Sequence, residues 1–110
     1  MRNNKSLRVC HIVIPEWQLR VNIEKVIKSK EFIQRYVCVK HSGESIEPHY
    51  HIHLDMKRRL PVVTIAKWFV LPTSSIIGVY SSVDDIRYML NSKEGQENTL
   101  ICSRYEKKAL

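Results

Sequence analysis

Two periods of apolar spacing alternate along the chain. Leu7–Ile14 (LRVCHIVI) is rich in valine and isoleucine and stops at Pro15, which predicts a strand. From Trp17 to about Arg35 the period lengthens. Leu19, Ile23, Val26 and Ile27 share one helical face, and Arg20, Lys25 and Lys28 lie off it. Tyr36–Lys40 (YVCVK) returns to strand character. His41–Glu47 (HSGESIE) reads as a turn-forming loop around Gly43, and Pro48–Lys57 as a third strand. Lys57-Arg58-Arg59 then reads as a basic loop. Pro61 stands where a helix takes its first proline, and Val62, Ile65, Ala66 and Phe69 follow at helical spacing up to the break at Pro72–Ser74. Ser75–Tyr80 (SIIGVY) predicts a fourth strand. Ser82-Val83-Asp84-Asp85 reads as a capping box that opens a helix to about Lys93, and Thr99–Tyr105 as a fifth strand before a basic tail. The order β-α-β-β-α-β-α-β predicts an α+β fold, with an antiparallel central sheet and helices packed on it, in one domain over residues 1–110.

Composition narrows the function classes. At 110 residues, 44% hydrophobic and 26% charged, the chain is of ordinary globular make-up, which argues against disorder. Lys plus Arg number 18 against 11 Asp plus Glu, and the net charge of +7 favours a polyanion such as nucleic acid as partner. The longest charge-free stretch, Trp68–Val83, is too short to span a bilayer and carries Pro72, Gly78 and four serines. The apolar run Val9–Ile14 contains His11, unlike a secretory signal. Cys10, Cys38 and Cys102 are odd in number and far apart, without CxxC spacing. Neither a disulfide framework nor a cysteine zinc site is expected, and an intracellular setting, in the cytoplasm of a host, fits.

The chemistry concentrates in the third strand, Pro48-His49-Tyr50-His51-Ile52-His53-Leu54-Asp55-Met56. Side chains alternate across a strand, so Tyr50, Ile52, Leu54 and Met56 share one face and His49, His51, His53 and Asp55 the other. Same-face neighbours stand roughly 6.5–7 Å apart at Cα. Two imidazoles at that spacing can converge on one divalent ion, and a third ligand must come from a neighbouring strand or loop. His41 and Glu44 are the nearest candidates.

His-hydrophobic-His on a central strand resembles the HUH endonucleases: rolling-circle Rep proteins, relaxases and Y1 transposases. The likeness covers nearly the whole chain. His11-Ile12-Val13-Ile14-Pro15 resembles the first Rep motif, and Ile86-Arg87-Tyr88-Met89-Leu90-Asn91-Ser92-Lys93 supplies the downstream helical tyrosine. Two registers fit. His49-Tyr50-His51 follows a proline and places His41 eight residues upstream, whereas His51-Ile52-His53 places Glu44 seven residues upstream; His51 belongs to both. The family's lysine stands three residues after its tyrosine, where this chain has Asn91; Lys93 follows two residues later.

The resemblance implies a ferredoxin-like or RRM-like HUH fold. It also implies cleavage of single-stranded DNA at an origin by Tyr88, with Mn²⁺ or Mg²⁺ held by the histidine cluster. A phenol, with an ordinary pKa of about 10, is a weak nucleophile at neutral pH, so a divalent ion that withdraws charge from the phosphate is needed. The product would be a 5′-phosphotyrosine and a free 3′ hydroxyl, able to rejoin. Val83, Ile86 and Leu90 define the expected apolar stripe of the helix, leaving Tyr88 opposite, beside Asp84, Asn91 and Ser92. Tyr105 is the reserve nucleophile. Lys57, Arg58, Arg59 and Lys93 are the candidate DNA-binding cations, and Trp17 and Trp68 candidate stacking rings. The chain has no P-loop and no room for a helicase domain, which suits a small stand-alone initiator of a virus or plasmid. A single tyrosine implies a homodimer where two strand transfers are needed. A Y1 transposase would share the chemistry. A non-catalytic nucleic-acid-binding module and a metal-dependent hydrolase using water are the readings from other classes.

Overall fold

The protein is described by a computed structural model covering residues 5–91 and 93–105; Ser92 and the basic tail 106–110 lie outside it. The elements are β1 (Ser6–Pro15), α1 (Ile23–Lys28), β2 (Ile33–Gly43), β3 (Ile46–Pro61), α2 (Val62–Phe69), β4 (Ile76–Gly78), α3 (Ser82–Leu90) and β5 (Glu97–Arg104), with 3₁₀ turns at Glu16–Gln18 and Thr73–Ser75. The five strands form one antiparallel sheet in the order β4-β1-β3-β2-β5. The first six elements make a βαββαβ unit of the ferredoxin-like kind, so the expected fold class holds. β5 adds a strand outside β2, and α3 packs on the opposite face from α1 and α2.

Strand alternation builds both layers. Cys10, Ile12 and Ile14 of β1, Tyr36 and Cys38 of β2, and Ile52, Leu54 and Met56 of β3 point to the α1/α2 side. There they meet Ile23 and Ile27 of α1 and Val62, Ile65, Ala66 and Phe69 of α2. Each fully buried aliphatic side chain contributes ~1.5–3 kcal/mol, so this face holds most of the folding energy. On the other face Val37 and Val39 receive Ile86 and Met89 of α3.

Several boundaries differ from expectation. The loop read over His41–Glu47 shrinks to a two-residue turn, with His41 on β2 and Ile46 opening β3, and the strand read over Ser75–Tyr80 narrows to Ile76–Gly78. The helix foreseen over Trp17–Arg35 is only α1, because the Asn22 side chain accepts from Lys25 N (3.0 Å) and starts the helix there. Ser29 ends it, and Ile33 is drawn into the sheet. Lys57, Arg58 and Arg59 belong to β3 rather than to a loop. Val9 pairs with Asp55 and Leu7 with Leu60, so Met56–Arg59 stand opposite Arg8 alone, in a bulge. Finally, the cap of α3 is Ser81, whose Oγ accepts from Asp84 N (3.2 Å), one residue earlier than the expected box. The buried residues of α3 are Ile86 and Met89, while Leu90 is exposed, so the inward stripe differs from the expected Val83, Ile86 and Leu90. With that stripe inward, Asp85 meets His11 and His53 of the sheet.

Candidate metal centre

All five histidines of the chain sit on the sheet face beneath α3, brought together by register. His41 pairs directly with His49 across β2 and β3, and His51 follows His49 on the same face. His11 pairs directly with His53 across β1 and β3. The ring centroids of His41 and His51 are 4.3 Å apart, those of His49 and His51 4.9 Å, and those of His11 and His51 5.0 Å.

His41, His49 and His51 form the one group among the described residues whose ligand atoms converge, all within 4.8 Å of one another. A divalent ion about 2.1 Å from each nitrogen requires pairs no wider than about 4.2 Å, so small side-chain rotations close the site. The donor chemistry fits. The His41 Nε2–H donates to the Met89 carbonyl (2.7 Å) and the His49 Nδ1–H to the Glu47 carbonyl (2.8 Å). This leaves His41 Nδ1 and His49 Nε2 with coordinating lone pairs, each ring fixed by a bond from its second nitrogen as metal-binding histidines require. Of the sequence candidates, His41 is therefore the third histidine, and the His49/His51 register is the one that converges. Glu44 sits exposed in the hairpin turn, and His53 stands outside the group.

His51 is oriented by a longer chain of bonds. The His11 Nδ1 lies 2.9 and 3.0 Å from the two carboxylate oxygens of Asp85, and His53 Nδ1 lies 2.6 Å from Oδ2. Burial pushes the Asp85 carboxyl up, but the bonds from His11 and His53 outweigh it and bring it down to about 2. Asp85 is thus an acceptor only, and both imidazoles must donate to it from Nδ1. In the neutral His11 ring Nε2 is then an acceptor, and His51 Nδ1–H donates to it at 2.7 Å. The coordinating lone pair of His51 falls on Nε2. Burial, followed by the neighbouring His11, His41 and His49, pushes His51 down to about 3, so it stays neutral and able to bind a cation. His53 Nε2 is buried without a hydrogen-bond partner among the described residues.

Tyr88 stands on α3 one turn after Asp85, 59% exposed, and lines an open groove together with His11, His51, Val13 and Asp85. Lys93 Nζ lies 5.3 Å from the centre of its ring. Tyr105 packs inward, with its ring centroid 6.1 Å from that of His53 and the Arg35 guanidinium 5.6 Å from its centre. The three consecutive cations of β3 part company. Lys57 lines a groove with Lys28, Lys30 and Arg104; Arg58 stacks 4.3 Å from the centre of the Phe32 ring. Arg59 donates to the Ser6 carbonyl (2.8 Å) and lines a groove with Lys5, Arg8 and the fully exposed Tyr80. That groove adjoins the Tyr88 groove across Gly78 and Val79. Trp17 is exposed, and Trp68 packs against the core with Lys30 Nζ 5.5 Å from its ring centre.

Asp85 is the member of this cluster that the sequence pattern hid, with His11 as its link to His51. In sequence His11 and Asp85 are 74 residues apart, and the packing of α3 on the sheet brings them together. The chain matches no family model, no curated protein and no solved structure. No helix among the described residues is long and apolar enough to cross a membrane.

Proposed function

We propose that the protein is a metal-assisted endonuclease that nicks single-stranded DNA, as a replication initiator does, with Tyr88 as nucleophile. The observation that carries this reading is the groove shared by Tyr88 and His51, the latter belonging to the three converging histidines. His41 Nδ1, His49 Nε2 and His51 Nε2 would hold the ion, with Mn²⁺ or Mg²⁺ the candidates. A divalent ion there supplies charge withdrawal from a non-bridging phosphate oxygen and stabilises the departing 3′ oxygen. Tyr88 Oη attacks phosphorus, the bond from phosphorus to the 3′ oxygen breaks, and the phenolic proton ends on the new 3′ hydroxyl. The 5′-phosphotyrosine retains the bond energy needed for rejoining. Lys93 brings positive charge beside the phenol. The adjoining groove of Lys5, Arg8 and Arg59 continues a basic track for the phosphates, with Tyr80 offering a ring for a base. The net charge of +7 agrees with a polyanionic partner.

The test is a gel assay with a varied pool of labelled single-stranded oligonucleotides and Mn²⁺. A slow-migrating covalent adduct that disappears with chelator and in Tyr88→Phe supports the reading. Cleavage without an adduct replaces it with hydrolysis by water. Binding without cleavage across the pool replaces it with a binding module.

A further inference from the structure

A second reactive group lies on the opposite face of the sheet. Cys38 of β2 and Cys102 of the edge strand β5 are direct register partners, and both point into the α1/α2 core. Directly opposed residues in antiparallel strands have Cα atoms about 4.5–5.5 Å apart, inside the range of about 4.4–6.8 Å that a disulfide spans. The register shifts immediately beyond this pair: Val39 pairs with Leu100, leaving Ile101 unpaired in a bulge. A bulge bends its strand and interrupts the ladder of hydrogen bonds there. Both cysteines are free thiols.

We propose that Cys38 and Cys102 form a cross-strand dithiol site that exchanges with small-molecule disulfides of the glutathione class and closes into a Cys38–Cys102 bridge. This inference is independent of the nuclease reading. The two thiols are unequal. Cys102 is held below the usual thiol range by a hydrogen bond from Cys38, while that bond and then burial push Cys38 well above it. Cys102 also lies on an edge strand and retains slight exposure, whereas Cys38 has none. Cys102 thiolate therefore attacks the external disulfide, forming a mixed disulfide and expelling one thiolate. That thiolate takes the Cys38 proton. Cys38 sulfur then attacks Cys102 Sγ and expels the second small thiol. Two electrons and two protons pass from the protein dithiol to the external disulfide, which leaves as two thiols. The bridge fastens β5 to the sheet. Asn98 of β5 donates to the carbonyls of Leu90 and Asn91 (3.2 and 3.1 Å), so the end of α3 beyond Tyr88 is fastened with it.

Cys10 is an internal control. It is buried, its register partners are Leu54 and Gly78, and burial followed by the Asp85 charge pushes its thiol up to about 12. The whole protein is incubated with glutathione disulfide, acid-quenched, unfolded, alkylated and mapped by mass spectrometry. The expected product is two hydrogens lighter, leaves Cys10 as its one alkylatable thiol, and melts on the order of 10 °C higher. Dithiothreitol reverses both changes. Cys38→Ala should stop at a single glutathione adduct on Cys102. Three alkylatable thiols after exposure, a bridge containing Cys10, or a stable glutathione adduct on the unmodified sequence would each overturn the proposal.

Discussion

Removing the Asp85 carboxylate tests the chain of bonds that fixes His51. Asp85→Ala deprives His11 Nδ1–H and His53 Nδ1–H of one shared acceptor, at 2.9 and 2.6 Å. A hydrogen bond to a charged partner is worth ~1.5–3 kcal/mol. The Asp85 side chain is 15% exposed, so water recovers part of the loss and the lower end applies to each bond. The expected destabilisation is ~3 kcal/mol, which for a domain of this size lowers the melting temperature by about 12 °C. With Asp85 gone, His11 is free to place its proton on Nε2. His51 must then accept at Nδ1, and its own proton moves to the nitrogen meant for the ion. Loss of such an orienting partner weakens metal binding about 10–100-fold. Titration calorimetry with Mn²⁺, run well below each variant's melting temperature, reads this directly. Asp84→Asn is the control, since Asp84 is exposed and its backbone N–H, not its carboxylate, makes the cap. Asp85→Ala that binds Mn²⁺ as tightly as the unaltered chain would refute the assignment of His51 Nε2 through His11. If neither binds Mn²⁺, the metal centre itself is refuted, and the melting temperatures still judge the hydrogen bonds.

The ligand set predicts that His41→Ala and His49→Ala each lower Mn²⁺ affinity by at least about 10-fold, whereas Glu44→Gln leaves it unchanged; a Glu44→Gln effect as large as theirs would restore the other register. Acid should destabilise the metal-free protein. His51 binds its proton near 6.5 when unfolded but near 3 when folded, and Asp85 near 3.8 against 2, so the unfolded chain takes up protons first and stability falls as pH drops from 6.5 toward 2. Urea midpoints at pH 7 and pH 4 check this, and the drop should be smaller in His51→Gln; an equal drop would mean that other groups dominate. Gly43→Ala would drive its new methyl into the Gly95 carbonyl oxygen. We expect a loss of ~1–3 kcal/mol, seen as a lower thermal midpoint. An unchanged midpoint would show that the turn at Gly95 yields freely.

The sequence was most legible where a single element decides the outcome. Alternation along β3 separated His49, His51 and His53 from Ile52, Leu54 and Met56, and it holds in the fold because one-residue slips would bury the imidazoles among aliphatics. The position of α2 followed from Pro61 and the apolar residues after it. The segment after Trp17 misled because Leu19 and Val21 pack on the core from outside a helix, which apolar spacing cannot distinguish from packing within one. His53 looked equivalent to its neighbours, but its direct partner is His11, and Asp85 claims it. The Cys38–Cys102 pairing and the dispersal of Lys57, Arg58 and Arg59 to three separate surroundings were hidden for the same reason. Both depend on strand register and bulges between distant segments.

The three converging histidines have an uneven ancestry in the folding reaction. His41, His49 and His51 lie on one hairpin closed by a two-residue turn, so they meet through sequence-local contacts that form early and at small loop-closure cost. The bonds that aim His51 span 40 residues to His11 and a further 74 to Asp85, and they arrive only when β1 and α3 have docked. An ion offered to the nascent hairpin would therefore meet rings whose protons are still free to wander. Tight loading would wait for the completed chain. A bound ion would then report that the strands and α3 are all in place, and by mass action it would favour the one state in which Tyr88 and His51 share their groove.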